Sequence, residues 1–539
     1  MKKDRNLIII ILAIVACILG LKFAQTDFEE SYHADNENRI DATQRAKNSD
    51  ILYPISFRDK GPQSENDTYR LEEIPREKRI LKGDKMLQFK TKAELEAFLK
   101  KAQQKGFKIT KILPNLKMVR VRFTSRIDAD DFLARFGEVS LIADNTPIGV
   151  PEPLLSGGST GFRSNPLEFL GIENNGNWGD GVKVAVIDTG VASHPSLKGE
   201  ITHFDLVNDG TEITGHHGTA VASLIAGDAG LIKGVSPGVD LIDIRALNND
   251  GSGDAFTVAE AIALAADSGA KVINLSLGAN YDNPALREAV LYAQGKGAIL
   301  VAAVGNEGAG KVSYPAGYPG VIGVASNDAN ENYLSFSNRG PEVDIAAPGI
   351  ELTAAGLEGE TILFTGTSAS SPLVAATVAY QMAQYPNLTN EELVNQLQSN
   401  ANEVGAPGDD NLFGNGILNV GRIEDNSNMA TVDAAAAGFY LEPVAGTDNL
   451  KLFFTGENRG TQTVEKVEMT LSYPGFERTY TFNNIESSQA FYETLIINPN
   501  SELVQKEQEI TLTVKQSGGE KDLSNNVKAV RIRLNTEDE

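Results

Sequence analysis

Four runs of almost uninterrupted apolar residues constrain the fold of this chain more than any other feature. They are residues 182–187, 272–277, 299–304 and 321–325. Such sequences are typical of strands that are buried on both faces of a sheet. Segments with helical spacing fill the intervals, at about 255–268, 283–296, 370–385 and 390–400. The alternation predicts an α/β domain over residues 166–425, in which helices cover both faces of a doubly wound parallel sheet.

The regions on either side of this domain have different patterns. Residues 76–148 read as a small α/β unit in the order strand, helix, strand, helix, strand. Residues 430–535 lose helical spacing and carry short strand-like segments between turns, which predicts a β-sandwich. We interpret residues 25–75 and 149–165 as linkers, the first polar and without sustained periodicity, the second rich in Pro, Gly and Ser.

Charge is distributed unevenly along the chain. Residues 76–126 hold 16 basic and 4 acidic residues, whereas residues 160–425 hold 11 basic and 32 acidic ones. The chain as a whole has a formal charge of −24. Nucleic-acid binding is therefore not expected, because a phosphate backbone requires a basic face.

The first 24 residues have the pattern of an export signal. Lys2, Lys3 and Arg5 precede an apolar run over residues 7–21. Three interpretations stay open: an uncleaved membrane anchor, a cleaved signal, or a lipoprotein signal in which Cys17 carries the lipid. All three place the protein in a bacterial cell envelope or outside the cell. Cys17 is the only cysteine, so a disulfide within the chain is excluded.

Four segments within residues 166–425 carry side chains suited to catalysis. Asp188 ends a buried strand, at the edge of the sheet where ligand chemistry occurs in open α/β folds. His217 opens a helix of small residues, and His216 is the neighbouring alternative. Asn306 lies in a Gly-Asn-Glu-Gly turn after a strand. Ser368 is predicted at a helix N-terminus, with Pro372 in the first turn, where backbone N–H groups favour negative charge.

In the chain order Asp, His, Asn, Ser, these segments resemble the subtilisin-like serine proteases, the subtilase family. The resemblance covers about residues 166–425. It implies that Ser368 is the nucleophile, that His217 is its base, and that Asp188 orients the base. It also implies that Asn306 donates a hydrogen bond to the oxyanion.

The same resemblance assigns residues to substrate binding. Ser276, Leu277 and Gly278 would pair with the substrate backbone. Ala303, Val304 and Gly305 would line the other wall of an apolar primary specificity pocket, with Tyr314 and Pro315 near its base. We therefore expect cleavage after medium or large apolar side chains, and Glu307 at the rim would also admit basic ones.

Residues 80–148 resemble the propeptides of these enzymes, which implies a self-processed precursor cut within 149–165. The sandwich resembles adhesion-type bacterial domains. No cofactor is required, and a weaker calcium site elsewhere in the acid-rich domain stays open. The family's strongest calcium site should be absent, because Ser196 rather than Asp follows His194 and Pro195 and because the loop 227–230 is short. The expected partners are protein or peptide substrates, the chain's own propeptide, and a membrane through the N-terminus.

Two alternatives from other functional classes remain at this point. The first is a catalytically inactive binding scaffold. The second is a surface or adhesion protein whose function resides in residues 430–535. The leading hypothesis is an active exported serine endopeptidase.

Overall fold

A computed structural model of the chain describes residues 84–104, 108–122, 139–153, 159–172, 175–425, 430–518 and 523–532. The predicted export signal, the linker at 25–75 and the second helix expected near 128–136 lie outside these ranges. Among the helices within them, none combines the length and the apolar character needed to cross a membrane.

The first described unit is a four-stranded antiparallel sheet covered by one helix. Its elements are β1 (Asp84–Phe89), α1 (Lys92–Gln104), β2 (Lys108–Leu113), β3 (Met118–Arg122) and β4 (Val139–Asp144), with the strand order β2-β3-β1-β4. Leu87, Phe98 and Val121 form part of its core. The sequence analysis missed β2, because lysines interrupt its apolar positions; it is an edge strand whose residues are mostly only half-buried.

A short strand, β5 (Pro147–Gly149), comes next in the chain but is not part of the four-stranded sheet. It pairs antiparallel with residues 252–254 of the next unit and not with β4. Gly149, the first residue of the predicted linker, is therefore held in regular structure. Its partners are described with the candidate site.

The largest unit contains a seven-stranded parallel sheet with the order β15-β14-β13-β12-β6-β10-β7. Its strands are β6 (Lys183–Asp188), β7 (Ile201–Asp205), β10 (Asp240–Arg245), β12 (Val272–Leu275), β13 (Ile299–Ala303), β14 (Val321–Asn327) and β15 (Ile345–Pro348), and the shorter strands outside it are β8 (Asp228–Ala229), β9 (Ile232–Lys233), β11 (Ser252–Asp254), β16 (Leu352–Ala355) and β17 (Thr361–Phe364). Its helices are α2 (His217–Ala226), α3 (Ala255–Asp267), α4 (Pro284–Gly295), α5 (Thr367–Gln384), α6 (Asn390–Ser399) and α7 (Val420–Asp425).

Helices cover both faces of the parallel sheet. Apolar side chains of α3 and α4 pack into one core, and those of α2 and α5 pack into another. The predicted doubly wound α/β fold is confirmed. The sequence analysis missed β10, because Asp240, Asp243 and Arg245 interrupt its apolar run. Ion pairs with residues distant in sequence give the buried Asp243 and Arg245 of that strand their counter-charges.

The last unit consists of two antiparallel sheets that enclose an apolar core. Its elements are β18 (Ala434–Pro443), β19 (Leu450–Asn458), β20 (Val464–Tyr473), β21 (Phe476–Ile485), β22 (Ala490–Ile497), α8 (Glu502–Gln505), β23 (Glu509–Gln516) and β24 (Val527–Arg531). The sheet orders are β18-β19-β22 and β21-β20-β23-β24. The all-β prediction is confirmed. The first strand was missed, because it opens with four alanines, a residue type that is depleted in strands.

A buried ionic cluster joins the sandwich to the parallel-sheet unit. The Arg422 guanidinium on α7 donates to the Glu457 carboxylate on β19 at 2.6 Å, and Arg459 donates to the same carboxylate at 3.1 Å. Burial alone would raise the pKa of Glu457, but the two guanidinium groups outweigh burial and lower it. The carboxylate therefore stays charged in the interior only while its cations are present.

We predict that Arg422→Met lowers the free energy of unfolding by about 3–5 kcal/mol, because it leaves Glu457 without a main counter-charge. Urea unfolding followed by circular dichroism measures the loss. The matched control is Arg531→Met, which removes an exposed pair with Glu509 and should cost no more than about 1 kcal/mol. Equal effects of the two substitutions would contradict a structural role for the buried cluster.

Candidate active site

Asp188 and His217 meet at the carboxyl edge of the parallel sheet. Asp188 ends β6 and is fully buried, and His217 begins α2. The Nδ1 atom of His217 lies 2.8 and 2.9 Å from the two carboxylate oxygens of Asp188. An ionised carboxylate can only accept, so Nδ1 carries the proton and Nε2 is the ring atom free to act as a base. The ring also packs edge-on against Phe364, with 5.1 Å between centroids.

Small residues around this pair allow its close approach. A Cβ atom at Gly218 would lie 2.4 Å from the carbonyl oxygen of Gly190, so only glycine fits after His217. The Thr189 hydroxyl accepts the N–H of Gly218, and the Thr219 hydroxyl accepts the N–H of Ala192. The sequence analysis did not single out these threonines, although each directly follows a selected motif residue or its glycine.

Ser368 lies at the start of α5, which begins at Thr367. Its hydroxyl donates to the carbonyl of Ser276 at 3.1 Å, and the Ser276 hydroxyl donates to the carbonyl of Ser368 at 3.0 Å. Pro372 lies inside the helix and not in its first turn, which corrects the sequence-based placement. A proline at this position has no N–H to offer the carbonyl four residues earlier, and the Ser276 hydroxyl satisfies that carbonyl instead.

Asn306 follows β13 and is held in one orientation. Its side-chain oxygen accepts from the N–H and the hydroxyl of Thr367, at 2.9 and 2.8 Å. The amide nitrogen therefore points into the cleft, where it donates to the carbonyl oxygen of Pro151 at 2.8 Å. A peptide carbonyl thus lies where the sequence analysis expected a developing oxyanion.

That carbonyl belongs to a segment of the chain that runs through the cleft as an extra strand. Gly149 and Gly278 exchange two backbone hydrogen bonds, of 3.1 and 2.8 Å, and Val150 donates to Gly251 at 3.1 Å. Gly278, one of the residues expected to pair with a substrate backbone, therefore pairs with this segment of the chain. The opposite edge, residues 251–254, was missed; its sequence signal is the Asp-Gly-Ser-Gly turn after β10.

Gly278 and Gly305, one from each predicted wall, both lie beside Ser313. A Cβ at Gly278 would lie 3.0 Å from the Cβ of Ser313, and a Cβ at Gly305 would lie 2.6 Å from its hydroxyl. Asn338 donates to the Ser313 hydroxyl and to the Glu307 carboxylate, at 3.3 and 2.7 Å. Polar groups that the sequence did not indicate thus lie beside residues of both predicted walls, and the Glu307 carboxylate already has a partner.

A second charged pair supports the turn that follows Asp188. Asp243 on β10 is buried; its Oδ2 accepts from the N–H of Val191 at 3.1 Å and lies 2.9 Å from Nδ1 of His203. Burial raises the pKa of Asp243, and the bond with His203 opposes that shift. The same bond raises the pKa of His203 above its ordinary value of 6.5. His203 is about half exposed, so the pair connects the protein surface with the Asp188 turn.

Comparison with known proteins identifies the class to which this fold and site belong. Residues 179–416 match the model of the subtilase family. A thermostable alkaline protease of Halalkalibacterium halodurans is 37% identical over 260 residues, which are 46% of this chain and 69% of that protein. Subtilisin Savinase of Lederbergia lenta is 37% identical over 250 residues, 46% of this chain and 91% of that protein. Thermitase of Thermoactinomyces vulgaris is 39% identical over 237 residues, 43% of this chain and 84% of that protein.

The chain belongs to the subtilase family and is a serine endopeptidase. The matched residues coincide with the parallel-sheet unit, so the family assignment expected from the four motifs is confirmed. The four-stranded sheet at the N-terminal side and the whole of the sandwich lie outside the residues of the family match.

We predict a pH-dependent stability difference between the wild type and His203→Gln. A histidine whose pKa is raised by folding adds stability that is fully present below the unfolded value of about 6.5 and is lost as the pH rises through the folded value. Urea unfolding between about pH 5 and about pH 9 should therefore show a wild-type advantage that shrinks above about pH 6.5. In an Asp243→Asn background the same substitution should have little pH dependence. An advantage that stays constant with pH would exclude the ion pair.

Proposed function

We propose that the protein is an exported serine endopeptidase that forms an acyl-enzyme and processes its own precursor. The proposal is based on the hydrogen bonds made by one peptide carbonyl and by the strand that contains it. The Pro151 carbonyl accepts a hydrogen bond from Asn306, within a strand that pairs with both edges of the cleft. A substrate peptide would have the same backbone partners.

In the proposed reaction, the Ser368 oxygen attacks the carbonyl carbon while Nε2 of His217 takes the hydroxyl proton. Asp188 fixes the tautomer of His217 and stabilises the imidazolium that forms. The C–N bond then breaks, and the imidazolium returns the proton to the leaving amine. Water hydrolyses the resulting ester by the same two proton transfers in reverse order, which regenerates the Ser368 hydroxyl.

Two donors would stabilise the tetrahedral intermediate. The Asn306 amide already points at the carbonyl oxygen in the cleft, because Thr367 holds its other end. The backbone N–H of Ser368 lies in the first turn of α5, where N–H groups lack helical acceptors. Losing one such side-chain donor costs about 10²–10³ in turnover, a value that was obtained on a member of this family.

The same geometry supports a proposal for the precursor bond that is cut. If Asn306 binds the carbonyl of the residue before the scissile bond, the cut falls between Pro151 and Glu152. This bond lies within the join at 149–165 that the sequence analysis selected. The four-stranded sheet would then be the propeptide, released after cleavage with β5 at its end.

The proposed reaction needs no cofactor, because the protein supplies the nucleophile, the base and the oxyanion donors. The short loop after α2 also supports the proposal that the family's strongest calcium site is missing. The Asp228 carboxylate in that loop is paired with Lys198 at 3.0 Å and with Lys233 at 2.8 Å. These ammonium groups hold the positive charge that a bound cation would otherwise provide.

Export and a place in the cell envelope or outside the cell are proposed from the basic and apolar pattern of residues 1–24. The expected partners are protein substrates and the propeptide, with a membrane contacted through the N-terminus. These features are proposed together, since a protease with its own inhibitory propeptide can be exported before it is active.

The test of the proposed function is Ser368→Ala, which should abolish peptide hydrolysis and leave the precursor at full length. The wild type should yield a mature protein that begins at Glu152, as determined by N-terminal sequencing. His217→Ala should be comparably inactive, because the base is then missing. Normal maturation of purified Ser368→Ala would show that another protease makes the cut.

Two controls separate this proposal from its alternatives. His216→Ala should retain activity, because only His217 bonds to Asp188. A fluorophosphonate probe should label the wild-type mature protein at Ser368. A mature wild-type protein that stays unlabelled would favour an inactive binding scaffold.

Opposite charges meet where the four-stranded sheet contacts α3. Lys111 pairs with Glu260 at 2.7 Å, and Arg120 pairs with Asp254, the N-cap residue of α3, at 3.2 Å. Asn115 donates to Asp267 at 2.7 Å near the other end of the helix. The charge asymmetry seen in the sequence is thus partly used in direct contacts.

We predict that inhibition of the mature enzyme by separately made residues 76–148 weakens as salt rises from about 0.01 to about 0.5 M. Screening shortens the range of electrostatic steering, so the loss should appear mainly in the association rate. Lys111→Gln in the propeptide should reduce the salt dependence, whereas Lys100→Gln, on the exposed side of α1, should reduce it less. An inhibition constant that does not vary with salt would remove any docking role for these charges.

A further inference from the structure

The strand in the cleft lacks one hydrogen bond that its own register calls for. Gly149 and Gly278 exchange two backbone bonds, so they form a hydrogen-bonded pair of an antiparallel ladder. Such pairs recur at every second residue, which places residue 151 opposite Ser276. A residue with a backbone N–H at position 151 would donate to the Ser276 carbonyl. Proline has no N–H to donate.

The Ser276 carbonyl, which receives no hydrogen bond from Pro151, accepts one from the proposed nucleophile instead. The Ser368 hydroxyl donates to the carbonyl oxygen of Ser276 at 3.1 Å. At the same time, Nε2 of His217 is buried and has no hydrogen-bond partner within the described part of the chain. The hydroxyl proton of Ser368 is therefore directed toward the substrate-binding edge, away from the base that has to remove it.

We propose that Pro151 is a positioning residue that slows self-cleavage of the precursor, by leaving the Ser276 carbonyl open to the Ser368 hydroxyl. The inference rests on the proposed function and adds a control of its rate. An N–H at position 151 would fill the Ser276 carbonyl and turn the hydroxyl toward Nε2 of His217. The Ser368 hydroxyl would then already be hydrogen-bonded to Nε2 of His217 when it attacks the Pro151 carbonyl. It would no longer have to leave the Ser276 carbonyl first.

The delay has a use in an exported precursor. The segment 147–151 makes ordered contacts with both edges of the cleft before the bond is cut. A slow cut keeps this strand covalently attached while the parallel-sheet unit completes its fold. A single hydrogen bond of this kind changes an equilibrium constant or a rate by about 5–10-fold. Pro151 therefore changes how fast the precursor is cut and not whether it is cut.

The direct test is the self-cleavage rate of the full-length Pro151→Ala precursor. Refolded precursor is sampled over time, and the products are resolved by electrophoresis. We expect Pro151→Ala to be cut about 5–10-fold faster than the wild type, at the same bond. Pro153→Ala is the control, since it leaves the residue opposite Ser276 unchanged; it should be cut at nearly the wild-type rate. An unchanged or slower rate for Pro151→Ala would overturn the proposal.

A second experiment separates the missing N–H from the shape of the proline ring. Peptides with the sequence of residues 147–153 are offered to the mature enzyme, with either alanine or N-methylalanine in place of Pro151. The two side chains are identical, and only alanine carries the N–H. We expect alanine to be cleaved about 5–10-fold faster, with the difference in kcat. Equal rates would assign the effect to the ring and refute the hydrogen-bond explanation.

These experiments distinguish failure of this inference from failure of the proposed function. If the inference alone is wrong, Ser368→Ala still blocks the cut in both the wild-type and Pro151→Ala precursors, but the two active precursors mature at the same rate. If self-cleavage itself is wrong, both precursors mature in spite of Ser368→Ala.

Discussion

The parallel alignment of β6, β12 and β13 is the constraint on which the rest of the site depends. Because their carboxyl ends meet at one edge, Asp188, Ser276 and Asn306 come together although more than a hundred residues separate the first from the last. Helix α5 then brings Ser368 to the same edge. Its reciprocal hydrogen bonds with Ser276 fix the start of the helix against the end of β12. The ends of the parallel strands thus determine the positions of the site residues, and the loops complete the site.

The strand that occupies the cleft is held by backbone hydrogen bonds to both edges, the arrangement that the proposed self-cleavage requires. Backbone pairing with both edges needs no particular side chains, so the site can accept many sequences. Selectivity must then come from pocket side chains and from positions where the backbone itself differs. Pro151 is such a position, since it removes a donor from the ladder without changing its register. The hydrogen-bonded side chains of Ser313 and Asn338 add polar groups next to the wall residues that the sequence predicts as apolar.

Buried charged side chains join the β-sandwich to the peptidase unit. Arg422 and Glu457 face each other across the boundary, and Lys528 of the sandwich pairs with Glu331 of the peptidase unit. Charges that are buried together favour one arrangement, because any other would leave them unpaired in the interior. The sandwich therefore has a defined position relative to the peptidase unit, whatever surface it contacts with its outer faces.

The sequence by itself determined the fold class and the candidate residues, because continuous apolar strands and motifs at strand ends are local signals. It identified Asp188, His217, Asn306 and Ser368 before any geometry was available. It missed β10, since Asp243 and Arg245 look like surface charges until His203, Asp205 and Asp209 are seen beside them. It also read residues 149–151 as part of a linker. Only the tertiary structure decided these points, because the hydrogen-bond partners of a buried charge or an added strand come from segments far away in the chain.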